Sequence, residues 1–330
     1  MKENFKLIPN LDYFKIDPLK FRGRGFFKKM EKDKIKYLEK FSYLIQNKKI
    51  ACPLCKSKGN KINIFLKVTK KYLILSCRSC GLKFPNVDFV SNKKYADIIY
   101  EKYSQLNIRK NMQRTSRYRL KMMEERFNYC IKSNFKKIKS IKVLDYGCGN
   151  GLFLDYLKKR GIYGTGIEVD ESNSQKLVNK NIEFFRKIDD LKSNKFDICV
   201  MFDVIEHLTN PVQDLLKIRD KLKKKGIIVI YTPNINSLAF ELMGSRQNQV
   251  YPFMHTLFFN DKSLNYLAKK TKFKIKKMGT FGLDLMDYFF MREHLDKKKY
   301  FEKLTDFINI TQSLVDMTGF GNHFRIIIQK

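Results

Sequence analysis

Three alternate glycines follow a short apolar segment near the middle of the chain, where residues 143–151 read VLDYGCGNG. The apolar residues before the glycines predict a buried strand, and those from Leu152 to Leu157 predict a helix directly after them. Glycine permits positive φ and lets a ligand approach bare backbone, while the first turn of a helix offers unpaired N–H groups. The pattern therefore predicts an α/β fold with a cofactor-binding turn after a strand.

The spacing of the glycines indicates which cofactor this turn suits. A dinucleotide fingerprint has G-x-G-x-x-G, whereas Gly147, Gly149 and Gly151 alternate and a leucine stands beyond them. Asp145, just before the glycines, would repel a pyrophosphate but could anchor a cationic or amino-bearing ligand. The second predicted strand ends in Glu168, which is placed to accept hydrogen bonds from two ribose hydroxyls. Together these residues fit S-adenosylmethionine.

The D-x-G-x-G-x-G turn with an acidic end to the next strand resembles the class I S-adenosylmethionine-dependent methyltransferase family. The apolar strand 195–202 and the following residues 203–208 resemble the fourth-strand segment of its ubiquinone-biosynthesis-type and type 23 members. Further strands are predicted at residues 226–234, 273–279 and 324–329. The resemblance implies a Rossmann-like α/β domain with a seven-stranded, mostly parallel sheet, helices on both faces and an antiparallel last strand near one edge.

The resemblance also implies which residues contact the cofactor. Glu168 would bind the ribose, and Phe202 and Asp203 would lie beneath the methyl group at the end of the fourth strand. Of the acidic pair after the third predicted strand, Asp189 and Asp190, one would bind the adenine, although both could instead cap the next helix. The cofactor-binding set is Asp145, Tyr146, Gly147, Cys148, Gly149, Gly151, Glu168, Val169, Asp190, Phe202 and Asp203.

Methyl transfer from a sulfonium is an in-line displacement, so alignment of acceptor and methyl supplies much of the acceleration. An oxygen or carbon acceptor often also needs a base that titrates near neutrality, which points to histidine. His207 follows Glu206 after the fourth strand, and His255 lies in the aromatic segment 251–259. We predict that Glu206, His207 and His255 are catalytic. His207 could instead pair with Glu206 or a backbone carbonyl, and His255 could be a packed lid residue.

Methylation of a nucleobase amino group would require an Asp/Asn-Pro-Pro-aromatic segment at the end of the fourth strand. The chain has Phe202-Asp203-Val204-Ile205 there, which argues against that chemistry. A cytosine-carbon methyltransferase would need a nucleophilic cysteine after proline, whereas Cys199 lies inside a predicted strand. We therefore expect Cys130, Cys148 and Cys199 to be unreactive packing residues.

Two C-x-x-C pairs upstream form the second strong pattern: Cys52 with Cys55, and Cys77 with Cys80. Four thiolates at this spacing suit tetrahedral zinc, and a β-hairpin is predicted between the pairs, so the segment resembles a zinc ribbon. Closed four-cysteine coordination leaves no open position, which predicts a structural zinc. The alternative, two disulfides, would require an oxidising compartment, and no secretory signal precedes the segment.

Length and composition divide the chain into four parts: a basic N-terminal extension at 1–48, a zinc ribbon at 49–90, a helical connector at 91–139 and a methyltransferase domain at 140–330. In the connector, two apolar faces predict helices that pack against the cofactor site. The first face consists of Tyr95, Ile98, Ile99 and Tyr103, and the second of Met122, Met123, Phe127 and Ile131. No apolar run is long enough to span a membrane, so a cytoplasmic protein is expected.

The formal net charge of +34 is concentrated in residues 1–140, which carry 36 basic and 11 acidic residues. Together with the run Arg114-x-x-Arg117-x-Arg119, this charge could bind RNA, as in ribosomal-RNA methyltransferases with a zinc module. However, 53 of the 67 basic residues are lysine, which favours composition bias and a solvated surface. The preferred acceptor is a small molecule or a nucleotide- or lipid-linked sugar, methylated on oxygen or carbon. RNA methylation and a non-catalytic S-adenosylmethionine-binding protein are the alternatives.

Overall fold

The computed structural model describes residues 25–46, 50–87, 89, 116–192 and 195–330. The helices in these residues are α1 (Phe26–Lys40), α2 (Ser116–Phe127), α3 (Leu152–Lys158), α4 (Glu171–Asn179), α5 (Pro211–Lys221), α6 (Leu238–Met243), α7 (Asp261–Lys270), α8 (Asp284–Asp296) and α9 (Phe301–Met317). The strands are β1 (Ile62–Lys67), β2 (Leu73–Cys77), β3 (Lys83–Pro85), β4 (Val143–Tyr146), β5 (Gly164–Ile167), β6 (Phe184–Phe185), β7 (Phe196–Phe202), β8 (Leu222–Pro233), β9 (Lys274–Phe281) and β10 (His323–Gln329).

Seven of the described strands form one sheet in the order β6-β5-β4-β7-β8-β10-β9. The pairs from β6 to β8 are parallel, and β10 lies antiparallel between β8 and β9. The apolar central strands are buried on both faces because helices cover both sides of such a sheet. The predicted seven-stranded α/β fold is confirmed, including the antiparallel last strand next to the edge strand.

The order of the strands determines at which end of the sheet a binding crevice forms. The chain runs from β4 outward to β5 and β6 and then returns to β7 on the other side of β4. Where the strand order reverses, the loops after β4 and β7 diverge and leave a crevice at the carboxyl ends of the strands. The glycine turn follows β4 and Asp203 follows β7, so the topology brings these two segments to one crevice.

Helix α2, in the predicted connector, packs on the sheet through its apolar face. Met123, Phe127 and Ile131 are buried in the core with β4 and β8, as their spacing predicts. Glu125 on the same helix pairs with Arg325 of β10 at 2.5 Å and accepts a hydrogen bond from Tyr231 of β8 at 3.3 Å. A π-helical turn, Asn128–Lys132, then ends the helix. The other predicted apolar face, Tyr95 to Tyr103, lies outside the described residues.

The four-cysteine segment is a three-stranded antiparallel sheet, β1-β2-β3. The hairpin of β1 and β2 matches the prediction, and Gly81 adopts φ 81° in the turn after Cys80. Strand β3 was not predicted, and it extends the module into the large domain: the backbones of Lys83 and Phe258 exchange two hydrogen bonds, at 3.1 and 2.8 Å. The cysteine module and the large domain therefore share one continuous core.

The N-terminal extension is also integrated with the large domain. Phe27 and Met30 of α1 pack against Ala239, Met243 and Met291. The buried Lys34 donates hydrogen bonds to the backbone carbonyls of Ser245 and Gln247. The four predicted segments are thus not separate folded units wherever their packing is described. No helix in the described part of the chain is long and apolar enough to cross a membrane.

Candidate functional site

The glycine turn between β4 and α3 adopts the backbone conformation that its sequence predicts. Gly147, Gly149 and Gly151 have φ values of 79°, 55° and 71°, which side-chain-bearing residues rarely adopt. A Cβ on Gly147 would lie 2.5 Å from Val204, so the turn also needs glycine for its packing. A Cβ on Gly149 would meet no atom within 4 Å, and this bare backbone lines a cavity. The turn therefore presents open space to a ligand.

Glu168 follows β5 and reaches back to the turn. Its carboxylate accepts hydrogen bonds from the backbone N–H groups of Gly149 at 2.6 Å and of Asp170 at 2.7 Å. The side chain is almost fully buried, and this burial raises the pKa of Glu168, although the two hydrogen bonds act in the opposite direction. Glu168 thus fixes the turn through both carboxylate oxygens, and it is not among the residues that line the cavity at the turn.

A cavity of about 360 Å³ lies against the glycine turn, within the size range of small-molecule sites. Asp145 lines it and is fully buried, and this burial raises its pKa to about 7, although the neighbouring Arg126 acts in the opposite direction. A carboxyl group with this pKa is ionised more readily when a cation binds next to it. The full lining is Phe26, Arg119, Met122, Met123, Arg126, Asp145, Gly147, Cys148, Gly149, Asn150, Leu152, Phe153, Phe202 and Asp203.

Arginines from α2 supply the opposite charge in the same cavity. Arg126 lies over the ring of Phe202, 4.1 Å from its centroid, and 3.5 Å from a carboxylate oxygen of Asp203. Its Nε is buried without a hydrogen-bond partner among the described residues. Arg119, two turns earlier on the same face of α2, also lines the cavity. A cavity with a buried carboxyl at Asp145 and cationic side chains nearby suits a zwitterionic group.

The sequence prediction did not assign these arginines to the cofactor site. Arg119 appeared only in the basic run considered for RNA, and Arg126 was not singled out. The spacing of Arg119, Met122, Met123 and Arg126 was the available signal, since positions i, i+3, i+4 and i+7 share one face of a helix. Arg114 of the same run lies outside the described residues.

Phe202 and Asp203 lie at the carboxyl end of β7, where both line the cavity as expected. Asp203 adopts φ 58°, a left-handed conformation that costs energy in a residue with a side chain. Its carboxylate is half-exposed and lies 3.6 Å from Nε2 of His323, the first residue of β10. Strand β10 thus brings a further histidine to the site.

Glu206, His207 and His255 form a cluster, and none of the three is among the residues that line the cavity. One potential ligand atom of each lies within 4.8 Å of those of the other two, and the two imidazole rings are 4.9 Å apart. Nδ1 of His207 lies 2.5 Å from the carbonyl of Met254, and Nδ1 of His255 lies 2.7 Å from that of Gln249. Because a carbonyl only accepts, both rings carry their proton on Nδ1 and direct a basic Nε2 elsewhere.

Burial sets the charge state of this cluster. It lowers the pKa of His207 and lowers that of His255 well below the ordinary value, so both rings are neutral at pH 7. It raises the pKa of Glu206 well above its usual range. One oxygen of Glu206 accepts a hydrogen bond from Thr232 at 2.9 Å, and the other is buried without a partner among the described residues.

Three further residues of the predicted cofactor set have other contacts. Tyr146 donates its hydroxyl to Asp214 at 3.0 Å, and only its backbone belongs to the turn. Val169 is half-exposed after β5, and its carbonyl accepts a hydrogen bond from Arg186. Asp190 caps its own short helical turn by accepting the N–H of Lys187 at 3.2 Å, and it is not among the residues that line the cavity. Capping was the alternative left open for Asp190.

The predicted metal ligands are together at one end of the three-stranded sheet. The sulfur atoms of Cys52, Cys55, Cys77 and Cys80 all lie within 4.8 Å of one another. Cys52 is 3.5 Å from Cys80, and Cys55 is 3.4 Å from Cys77. Tetrahedral zinc with bonds of about 2.3 Å holds its sulfurs roughly 3.8 Å apart, so these thiols fit zinc with little movement. Burial raises the pKa of Cys130, Cys148 and Cys199, as expected for packing residues.

The sequence model of a methyltransferase-domain family matches residues 108–277, slightly more than half of the chain. The ubiquinone biosynthesis O-methyltransferase of Rickettsia bellii (strain OSU 85-389) is 31% identical over 128 residues, which cover 36% of this chain and 53% of the relative. That of Pelagibacter ubique (strain HTCC1062) is 27% identical over 180 residues, which cover 48% of this chain and 72% of the relative. The chain spans about half the length of the Rickettsia relatives it matches.

Solved structures also align with the chain. A SAM-dependent methyltransferase from Archaeoglobus fulgidus aligns with a TM-score of 0.46 and 22% identity, covering 64% of this chain and 94% of the other. The plantazolicin methyltransferase BpumL in complex with SAH aligns with a TM-score of 0.48 and 20% identity, covering 72% of this chain and 93% of the other.

Proposed function

The chain belongs to the methyltransferase-domain family, and from this premise we propose that it transfers the methyl group of S-adenosylmethionine to an oxygen of a small-molecule acceptor. The observation that carries the proposal is the cavity at the glycine turn, which combines bare backbone at Gly149, the buried carboxyl of Asp145 and the guanidinium of Arg126. These groups match a ligand that is itself both cationic and anionic.

The residues that line the cavity fit the methionine end of S-adenosylmethionine. Asp145 would accept the amino group of the methionine part, and Arg126 would bind its carboxylate. Glu168 would accept the ribose hydroxyls at the other side of the turn. Phe202, whose ring packs edge-on against Phe153 and Tyr231, would lie next to the sulfonium, where an aromatic face stabilises positive charge. Asp190 remains a predicted adenine contact, and it would have to leave its capping bond to make it.

The acceptor would enter from the side of Asp203 and His323. Methyl transfer needs the acceptor oxygen in line with the methyl and the sulfur, and it releases one proton. We propose that Glu206, His207 and His255 handle this proton, because both imidazoles are neutral and direct Nε2 away from their carbonyl partners. Oxygen is favoured as the acceptor atom because curated relatives carry the name ubiquinone biosynthesis O-methyltransferase. A sugar acceptor, linked to a nucleotide or a lipid, remains within this proposal.

The cysteine cluster is proposed to hold one structural zinc. Metal analysis of the purified chain should find zinc that is lost in Cys77→Ser but retained in Cys199→Ser, whose thiol lies in the core of the large sheet. Zinc retained in Cys77→Ser at the wild-type level would contradict this assignment.

The experiment that tests the activity is incubation of the full chain with methyl-labelled S-adenosylmethionine and either a small-metabolite extract or total RNA. We expect label in the metabolite fraction. Label in RNA would instead support the basic N-terminal half as an RNA-binding surface, and label in neither fraction would support a binding protein without catalysis.

A further inference from the structure

The cluster of Glu206, His207 and His255 has features that proton transfer alone does not require. A single base would suffice to remove a proton, whereas two imidazoles and a carboxylate converge here within 4.8 Å. One carboxylate oxygen of Glu206 is fully buried and has no hydrogen-bond partner among the described residues, which is costly unless a ligand satisfies it. We propose that these three side chains bind one divalent metal ion of the class that prefers nitrogen and oxygen ligands.

The imidazoles are oriented as metal ligands are. In metal sites a histidine usually donates one ring N–H to a backbone carbonyl or carboxylate, which fixes the tautomer and exposes the other nitrogen to the metal. His207 donates from Nδ1 to Met254 and His255 donates from Nδ1 to Gln249, so both expose Nε2.

The two segments that carry the ligands are also fixed to each other. The backbone carbonyl of Glu206 accepts hydrogen bonds from the N–H groups of Thr256 and Leu257, at 2.9 and 3.1 Å, and from the Thr256 hydroxyl at 2.9 Å. Thr232 fixes the second oxygen of the Glu206 carboxylate. Tetrahedral metal–ligand bonds of about 2.1 Å hold the ligand atoms roughly 3.4 Å apart, so atoms that lie within 4.8 Å of one another would need to approach by at most about 1.4 Å.

Three protein ligands leave coordination positions open, as catalytic sites require. Asp203, three residues before Glu206 in the chain, lines the cavity, whereas the three proposed ligands do not. We propose that the open positions face the side of Asp203, from which the acceptor would approach. Two imidazoles with one carboxylate suit Zn²⁺, Mn²⁺ or Fe²⁺ better than Ca²⁺.

Such an ion would activate the acceptor in the proposed O-methylation, and this catalytic role rests on that proposed function. An acceptor hydroxyl bound to the ion loses its proton more easily, because the positive charge stabilises the alkoxide or phenolate. The oxygen lone pair then forms the new bond to the methyl carbon while the carbon–sulfur bond breaks and its electrons stay on sulfur. The products are the methyl ether, S-adenosylhomocysteine and one proton, which the half-exposed carboxylate of Asp203 would pass to solvent because the imidazole Nε2 atoms are then bound to the ion.

The test uses Mn²⁺, which prefers oxygen and nitrogen ligands and does not compete well for the four thiols. Free Mn²⁺ is counted by its solution electron paramagnetic resonance signal while the full chain, with its zinc in place, is added. We expect about one Mn²⁺ bound per wild-type chain and at least about 10-fold weaker binding in Glu206→Gln and in His255→Gln. His294→Gln is the control, because His294 pairs with Glu31 outside the cluster.

Glutamine has the shape of the protonated Glu206 that burial favours, so Glu206→Gln is expected to fold. Calorimetry with S-adenosylmethionine on each variant checks this and separates the two proposals. A wild-type chain that binds S-adenosylmethionine but no Mn²⁺ would overturn the metal site alone. Mn²⁺ binding that is equally tight in wild type and both variants would also overturn it, and binding lost in His294→Gln as well would show that the variants report folding rather than ligation.

Discussion

At the scale of single residues, Asp145 combines a structural cost with a binding role. Its pKa of about 7 lies far above the value of about 3.9 in an unfolded chain, because the carboxyl is buried. The folded protein therefore binds more protons than the unfolded one between about pH 4 and pH 7. Because the folded state must give up this proton, Asp145 lowers the free energy of unfolding as the pH rises through that interval.

Binding of S-adenosylmethionine should therefore release protons near pH 7, because its amino group favours the ionised carboxylate. Calorimetry in two buffers with different ionisation enthalpies should give different apparent heats, and affinity should fall as the pH is lowered below about 7. Asp145→Asn should abolish the difference between buffers and weaken binding about 10-fold or more. Asp155→Asn, on the outer face of α3 next to Lys159, is the control. Equal heats in both buffers for the wild type would contradict the prediction.

The same substitution gives a stability prediction of opposite sign. Without cofactor and above pH 7, Asp145→Asn should raise the free energy of unfolding by up to about 4 kcal/mol, since the buried charge is removed. The gain should shrink as the pH falls toward 4. Denaturant unfolding at pH 5 and pH 8 measures it, and a variant less stable than wild type at pH 8 would show that Asp145 is needed for the fold itself.

At the residue scale, the sequence prediction was most specific where local geometry dictates the residue. The glycines of the turn and Glu168 were predicted because backbone conformation and strand order leave few alternatives. Arg126 and His323 were not assigned to the site, since each reaches it through packing of a distant element, α2 or β10. Such contacts depend on tertiary structure that spacing along the chain does not encode.

At the scale of elements, the long apolar strands were predicted well and the small ones poorly. Continuous apolar runs made β7 and β8 recognisable, whereas β6 has only two residues and β3 has three. Strand β3 matters most, because it joins the cysteine module to the segment that carries His255. The sequence predicted a zinc ribbon at 49–90, and the three-residue strand that joins it to the large domain carries too little pattern to detect.

Tyr72 of the cysteine module supports the segment of His255 directly. Its buried hydroxyl accepts the N–H of Phe253 at 3.2 Å, and Phe253 is itself buried with a strained φ of 64°. Tyr72→Phe should cost about 1 to 3 kcal/mol in the free energy of unfolding, because this N–H loses its partner. It should also lower kcat with little change in the affinity for S-adenosylmethionine.

Denaturant unfolding, calorimetry and initial rates measure the three effects of Tyr72→Phe. Tyr43→Phe is the matched control, since Tyr43 is mostly exposed. An unchanged kcat together with an unchanged unfolding midpoint would contradict a supporting role for the cysteine module at the acceptor side.

At the scale of the whole molecule, the net charge and the cavity at the glycine turn indicate different classes of ligand. The net charge of +34 is large enough to attract any polyanion, and most of it comes from lysine spread along the chain. The described cavity, by contrast, has the size of a small-molecule site. We therefore expect RNA to bind weakly and non-specifically.

Weak RNA binding should depend steeply on salt and should not alter catalysis. The affinity for RNA should fall by orders of magnitude between about 50 mM and about 200 mM salt, because such binding is driven by the release of counterions from the phosphates. Methyl transfer to a small acceptor should persist in excess RNA at the higher salt. RNA that competes with the small acceptor at the higher salt would contradict this view.

The central claim is that the glycine turn and Glu168 bind S-adenosylmethionine, and calorimetry of the full chain tests it most directly. We predict one molecule bound per wild-type chain and affinity about 10- to 150-fold lower in Glu168→Gln, which weakens charge-assisted hydrogen bonds worth about 1.5 to 3 kcal/mol. Glu171→Gln, an exposed carboxylate at the start of α4, should bind like the wild type. No binding by the wild type, or equal binding by Glu168→Gln, would contradict the claim.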